Sequence, residues 1–503
     1  MSTAYDFLWG DYLAILMQMS LYSKTAKGIK WSFVGTIINI VIQIISGIVL
    51  ARLLSPYEFG IYGMSFAVIA ISRSIIDSGL YQALIQRNDV DQTDYSIVFQ
   101  FNFVISIIIV LILFFFAHDI EGFYNQVGVN ISLVVKFLSL IILIEPFSII
   151  QKASLMKEIK FDTITKVESY SKIVSVSASV ILAWNGFGIW SLLAKDLLFS
   201  LVSTVTYWYI RPVRLHLKVP LNRLSGLLDF GFKIFIADQI ENISNHISQF
   251  IVGWKFNPNS LGLFNKAEEF QQLFSQVGVV SINKVMFPSL VKIQDDDVKL
   301  KLTYKVLMET TMIVVLPLLF GVILVADELI TIMIGSNWIE IIPYFKILCV
   351  SGMFYPLTVY NLNIIKVKGN GGLYLKTCLI SKGLLLPFIL TGVQYGLIGL
   401  VISLVAHRFI AAMLNSYHSG RLINYGLLEQ LSGISISFII SFVIYFFLLI
   451  WKQYFLSEYS IYQTFFILTS GYSIAYLVFT ILIQSDKIGP MFYFFNPQAK
   501  RRN

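Results

Sequence analysis

From about residue 30 to residue 486 the chain is a succession of apolar runs about 20 residues long, separated by short polar connections. A helix rising 1.5 Å per residue needs about that length to cross the hydrocarbon core of a bilayer. Lipid offers no partner for backbone N–H and C=O groups, so each run must satisfy them internally as a helix. The first six runs lie at about 30–53, 60–84, 95–117, 129–150, 167–185 and 188–210. The next six lie at about 229–254, 261–286, 305–327, 341–365, 374–392 and 396–417. Two more follow at about 430–451 and 462–483.

Composition closes off the soluble alternatives. Of the 503 residues, 56% are hydrophobic and only 13% are charged, against about 25% charged in an ordinary soluble protein. A soluble enzyme, a disordered chain and a disulfide scaffold are all excluded. The two cysteines, Cys349 and Cys378, sit in apolar surroundings, and the five histidines show no metal-ligand spacing. The expected fold is an all-α polytopic membrane protein of about 14 spans.

The net charge of +8 reflects basic connections rather than nucleic-acid binding. Lys24, Lys27 and Lys30 precede the first run. Arg87, the group Lys152, Lys157, Lys160 and Lys166, and the group Arg211, Arg214, Lys218 and Arg223 fall in even-numbered connections. So do Lys292, Lys299, Lys301, Lys366, Lys368 and Arg421, and Lys487, Lys500, Arg501 and Arg502 close the chain. Odd-numbered connections are short or acidic, such as Asp327-Glu328, with Arg52, Lys255 and Lys452 only at span ends. By the positive-inside rule both termini lie in the cytoplasm. Residues 1–18, interrupted by Asp6 and Asp11, lack a basic n-region and read as a start-site extension or a loose interfacial segment, not a signal peptide.

An internal repeat organises these runs. VLARLLSPYEFGIYGM (49–64) corresponds to IVGWKFNPNSLGLFNK (251–266), with Pro56/Pro258 and Gly60/Gly262 both offset by 202 and Tyr62 opposite Phe264. Pro and Gly are what a short outer turn between helices requires. Asn185-Gly-Phe-Gly188-Ile-Trp matches Tyr395-Gly-Leu-Ile-Gly399-Leu at an offset near 211. The organisation expected is a tail (1–29), an N-lobe of six helices (30–210), a linker (211–228), a C-lobe of six (229–418), two appended helices (419–486) and a tail (487–503). Repeats with an even number of spans share one orientation, so two parallel lobes should flank a central cavity.

The run Ala51 to Met64, followed by Asp77-Ser-Gly-Leu-Tyr-Gln-Ala-Leu-Ile-Gln-Arg87, resembles the first two helices of bacterial polysaccharide flippases of the multidrug/oligosaccharidyl-lipid/polysaccharide exporter superfamily. Lys27-Gly-Ile-Lys-Trp31-Ser and the Gly-x-Gly-Ile-Trp block at Gly186 extend the likeness over nearly the whole chain from Lys24. The resemblance implies translocation of undecaprenyl-pyrophosphate-linked oligosaccharides across the bacterial cytoplasmic membrane. It also implies ion-coupled rocking of two lobes, driven by a proton or sodium gradient without an organic cofactor. A polysaccharide polymerase and glycosyltransferases are the implied partners, alongside membrane lipids, and the expected state is a monomer.

Ionisable groups inside spans mark candidate sites. Asp238, Glu241, Asn242, Asn245 and Gln249 recur at steps of three and four on one face of the seventh run, and Asn39, Gln43 and Ser46 on the first. Those faces line a cavity or hold helices together. The eighth run carries Lys266, Glu269, Gln272, Gln276 and Asn283, with Lys266 and Glu269 spaced to pair. Arg73 and Asp77, four apart, form either a salt bridge or a site. Arg52 and Lys255 either snorkel at helix ends or face the substrate. Lys195 and Asp196 are adjacent, pointing about 100° apart, and so should not simply pair with each other. His407 and Arg408 occupy nearly the matching place in the twelfth run. The candidate cations for a pyrophosphate are therefore Arg52, Arg73, Lys195, Lys255, Lys266 and Arg408, and the candidate coupling carboxylates Asp77, Asp238, Glu241 and Glu269. Glu145, next to Pro146, reads as a kink or helix end, and Asp295-Asp296-Asp297 as a solvated loop.

Two other functions compete. One is export of drugs or other small molecules by the same architecture. The other is a membrane-embedded polysaccharide polymerase or glycosyltransferase, disfavoured because external connections are about ten residues long and no catalytic or nucleotide-binding pattern occurs.

Overall fold

The computed structural model describes residues 31, 34–77, 80–86, 90–124, 130–213, 215–216, 222–276, 279, 290–456 and 458–484. The expected tails at 1–29 and 487–503, part of the linker at 211–228, Arg87 and Asn283 lie outside the described residues, as do the side chains of Asp77 and Asp238. All regular structure among the described residues is helical, and ten stretches are long and apolar enough to cross a membrane.

By its contacts the chain divides into Met1–Leu261 and Gly262–Asn503. The first unit holds α1 (Val34–Leu53), α2 (Pro56–Asp77), α3 (Leu80–Gln86), α4 (Gln92–Phe123), α5 (Ile131–Lys157), α6 (Phe161–Trp184), α7 (Ile189–Ile210) and α8 (Asn222–Lys255). α5 is central, packing on α4, α7 and α2, while α6 packs on α7 and α8 on α2 and α3. α8, which the sequence reading places at the start of the C-lobe, packs on α2 and α3. Buried Leu80, Leu84, Val98 and Ile150 form one apolar cluster at the α3–α4–α5 junction.

Local chemistry explains the boundaries. α2 begins at Pro56, whose missing N–H costs nothing in the first turn. Ser55 and Glu58 form a reciprocal cap: Ser55 N–H donates to Glu58 Oε2 at 2.7 Å and Glu58 N–H to Ser55 Oγ at 3.4 Å. α9 (Pro258–Gln276) also begins on proline, with Asn257 Oδ1 accepting from Ser260 N–H at 2.8 Å. The repeat read at Pro56 and Pro258 is therefore a repeat of helix starts. The two starts also touch, because a Cβ on Gly60 would lie 1.7 Å from the Pro258 carbonyl oxygen. In the second repeat block, Gly186 (φ +80°) and Gly396 (φ +79°) take the left-handed conformation that their tight turns need.

The second unit contains α9 from Gly262 onward, then α10 (Asp297–Leu324), α11 (Ala326–Ile334), α12 (Ile342–Gly352), α13 (Tyr355–Val367), α14 (Gly371–Gly392), α15 (Gly396–Leu422), α16 (Leu427–Phe455) and α17 (Ile461–Ile483). α10 is the most deeply buried candidate span. α15 packs on α12, α13 and α14, and α16 on α10 and α17. Asp296 caps α10 by accepting from Lys299 N–H at 3.0 Å, so part of the Asp295–Asp297 run serves a helix start.

The final hairpin, α16–α17, is tied at both ends. At one, Lys452 lies 2.8 Å from Glu328 and 3.1 Å from Asp327, which also pairs with Lys346 at 2.8 Å. At the other, Lys301 lies 3.1 Å from Glu429, and Gln430 donates to the Tyr425 and Ser416 carbonyls at 3.0 and 3.3 Å.

Candidate functional site

The first unit holds an open cavity of about 620 Å³ among α2, α3, α5, α6, α7 and α8. Its walls are apolar where Phe66, Ile141, Ile149 and Phe199 face it. Charge is concentrated on α2 (Arg73), α5 (Glu145 and Lys152), α6 (Glu168) and α7 (Asp196), and α8 contributes Asn242.

These charges are organised as pairs. Arg73 Nε donates to both Glu145 oxygens, at 2.9 and 3.0 Å, and its Nη2 also contacts Glu145 Oε1. This forked arrangement suits guanidinium to carboxylate or phosphate oxygens alike. Lys152 Nζ lies 2.6 Å from Glu168 Oε1. Tyr62 donates its hydroxyl to Asp196 Oδ2 at 2.5 Å, and Lys195 lies over the Tyr62 ring at 5.5 Å. Lys172, on α6, donates to the Asn39 carbonyl of α1 at 3.3 Å. Ion pairs at such places cost less than lone charges and are the usual form in which charge persists inside a membrane.

Three expectations change here. Glu145 neither ends a helix nor merely accompanies a kink: α5 continues through Pro146 to Lys157, and the carboxylate reaches across to Arg73. Lys152 was counted among loop charges, yet it is helical and lines the cavity. Lys195 does approach its neighbour, with Nζ 3.7 Å from Asp196 Oδ1, because a four-carbon stem can bend around the 100° between adjacent positions. Glu168 and Lys172 escaped the sequence reading altogether, although ionisable groups in or near an apolar run are the signal that would have found them.

Arg52 and Lys255 are exposed at the ends of α1 and α8, as snorkelling residues would be. In the second unit Lys266, only 2% exposed, pairs with Glu269 at 2.7 Å. Arg408 of α15 meets Glu268 of α9 at 2.8 Å, Ser351 of α12 at 2.7 Å and Gln271 at 3.3 Å. His407 instead bonds the Ser381 carbonyl at 2.8 Å. Of the polar stripes, Asn242 lines the cavity, and Gln249 bonds His246 at 2.9 Å. Gln43, Glu241, Asn245 and Gln272 are exposed, while Gln276 is half-buried. Of the four candidate cations in the first unit, Arg73 lines the cavity and Lys195 adjoins it at Asp196.

Residues 49–343 match the family of polysaccharide biosynthesis proteins. The chain belongs to that family. Among relatives of this polysaccharide biosynthesis protein is the lipopolysaccharide biosynthesis protein WzxC of Escherichia coli, 24% identical over 79% of this chain and 81% of its own length. Another is the teichuronic acid biosynthesis protein TuaB of Bacillus subtilis, 23% identical over 70% of this chain and 73% of its own. The fold is that of the lipid II flippase MurJ in an inward closed conformation, with a TM-score of 0.73 over 92% of this chain and all of that one, at 16% identity. A multidrug resistance MATE family transporter of the MOP superfamily, inward-facing, superposes with a TM-score of 0.59 over 79% of this chain and 94% of its own, at 17% identity. The described residues thus share the helical fold of these two transporters.

Proposed function

We propose that the protein is a carrier, not a catalyst, that flips undecaprenyl-pyrophosphate-linked oligosaccharides across the bacterial cytoplasmic membrane. The observation that carries this reading is the cavity holding Arg73 and Lys152 within a bundle of apolar helices. A pyrophosphate cannot enter hydrocarbon unaccompanied, and fixed cations offset its desolvation. The serine, tyrosine and asparagine side chains that also line the cavity, among them Ser148, Ser200, Ser203 and Asn242, offer hydrogen bonds to sugar hydroxyls. The lipid tail can remain in the bilayer while the headgroup passes. MurJ, a lipid II flippase by its description, and WzxC, a lipopolysaccharide biosynthesis protein, support this class of substrate. Both termini are taken to be cytoplasmic, with Glu241, Glu269, Asp77 and Asp238 as candidates for ion coupling.

The test is flipping in proteoliposomes. A fluorescent undecaprenyl-diphosphate disaccharide in one leaflet should become accessible to a membrane-impermeant quencher only when the protein is present. Arg73→Ala and Lys152→Ala should each slow this at least about tenfold. Wild-type rates in both variants would refute the role of the cavity. Efflux of a cationic dye without lipid flipping would favour a small-molecule exporter.

A further inference from the structure

The cavity presents a difficulty for any anionic cargo. The two cations among its described lining residues are already engaged, Arg73 by Glu145 and Lys152 by Glu168. A diphosphate can take the Arg73 fork only by displacing Glu145, since both make the same two-point contact with Nε and Nη2. The displaced carboxylate then needs somewhere to go.

Its surroundings give it little choice. On α2, Tyr62 is already bonded to Asp196, and α3 contributes Tyr81. On its own helix Lys152 lies two turns on, held by Glu168 of α6. α7 brings Asp196, a like charge, with Lys195 beside it, and Tyr207. From α6, Lys172 is turned to the Asn39 carbonyl. Among the described side chains, α8 gives the lining the neutral Asn242, and α4, though packed on α5, gives it none. The Glu145 side chain is only 19% exposed. A carboxylate stranded there, next to Asp196 and an arriving dianion, is costly unless it is neutralised.

We infer that cargo loading is an ion-pair exchange at Arg73: the diphosphate replaces Glu145 on the guanidinium, and the freed Glu145 carboxylate takes one proton from solvent. On unloading, Glu145 gives up that proton and recovers Arg73. Glu145 is therefore a proton carrier of the cycle, beside the candidate coupling carboxylates already named. The inference rests on the proposal that the diphosphate binds at Arg73.

The exchange can be counted by calorimetry on the full-length protein in nanodiscs. The probe is a short-chain polyprenyl diphospho-N-acetylglucosamine, a diphosphate diester that does not itself titrate near neutral pH. Binding is measured in buffers of differing ionisation enthalpy. About one proton should be absorbed per probe bound to wild type. Glu145→Gln should absorb none and bind about tenfold tighter, because the fork is no longer contested. Glu145→Asp should still absorb the proton, which covers the case in which the amide variant misfolds. Arg73→Ala should lose binding. If Arg73→Ala binds as wild type does, the diphosphate does not sit at Arg73 and the underlying reading fails. If Arg73→Ala loses binding but wild type absorbs no proton, or Glu145→Gln absorbs as many as wild type, the exchange alone is overturned.

Discussion

Removing Arg73 and Glu145 singly and together tests whether their contact is an energetic unit. The Arg73 side chain is 33% exposed and that of Glu145 19%, so the pair lies between two reference cases. Fully exposed pairs are worth about 0.2–1 kcal/mol. Breaking a fully buried pair from one side costs about 3–5 kcal/mol, because the other charge is stranded. Arg73→Ala should therefore destabilise by about 2 kcal/mol, leaving Glu145 near Asp196 with no cation of its own. Glu145→Ala should cost less, about 1 kcal/mol, since Asp196 still attracts Arg73. The double variant strands neither charge and should cost about 1.5 kcal/mol, a coupling of about 1.5 kcal/mol. Equilibrium unfolding in mixed micelles, followed by tryptophan fluorescence, gives the four free energies. Additivity within about 0.5 kcal/mol would refute the reasoning.

Orientation can be read by labelling. A cysteine at Gln394, in the turn before α15, should react with an impermeant thiol reagent in intact cells and one at Lys157 should not; the reverse pattern would invert the topology. Gly60→Ala places a methyl 1.7 Å from the Pro258 carbonyl oxygen, so folded protein recovered from membranes should fall several-fold, and recovery at the wild-type level would mean that this contact yields easily. Asp327, outside the spans, gives a pH signature. Burial pushes its carboxyl up, but hydrogen bonds and charge from Lys346 and Lys452 outweigh this and hold it below the ordinary 3.8. A folded value below the unfolded one stabilises the protein fully above 3.8 and loses that contribution as the pH falls through the folded value. Thermal stability should show a step in that acidic range that Asp327→Asn lacks; an identical pH profile in the variant would sink the assignment.

Most of the helices could be read from the sequence because each apolar run carries its own signal, and Pro56, Pro258, Gly186 and Gly396 mark turns by local rules. The site was harder to read. Arg73 was found, but its partner was sought four residues away at Asp77, whereas Glu145 is 72 positions distant. Nothing local distinguishes a carboxylate beside a proline that ends a helix from one that reaches across a cavity. Lys152 was misread for a related reason: its helix runs past the apolar window to Lys157, and a charge there resembles a loop charge. Partnership between helices is a tertiary property, and periodicity within one helix does not encode it.

The two-ended fastening of α16–α17 has a mechanical consequence. A hairpin held at one end by Lys452 with Asp327 and Glu328, and at the other by Lys301 and Gln430, cannot pivot without breaking contacts made to its own unit. Its middle exposes Phe446, Phe447 and Phe466. In a bilayer those rings meet acyl chains, so the hairpin is a keel fixed to one body. Any motion of that body must drag the surrounding lipid with it, and the stiffness and viscosity of the membrane become part of the load against which the carrier turns.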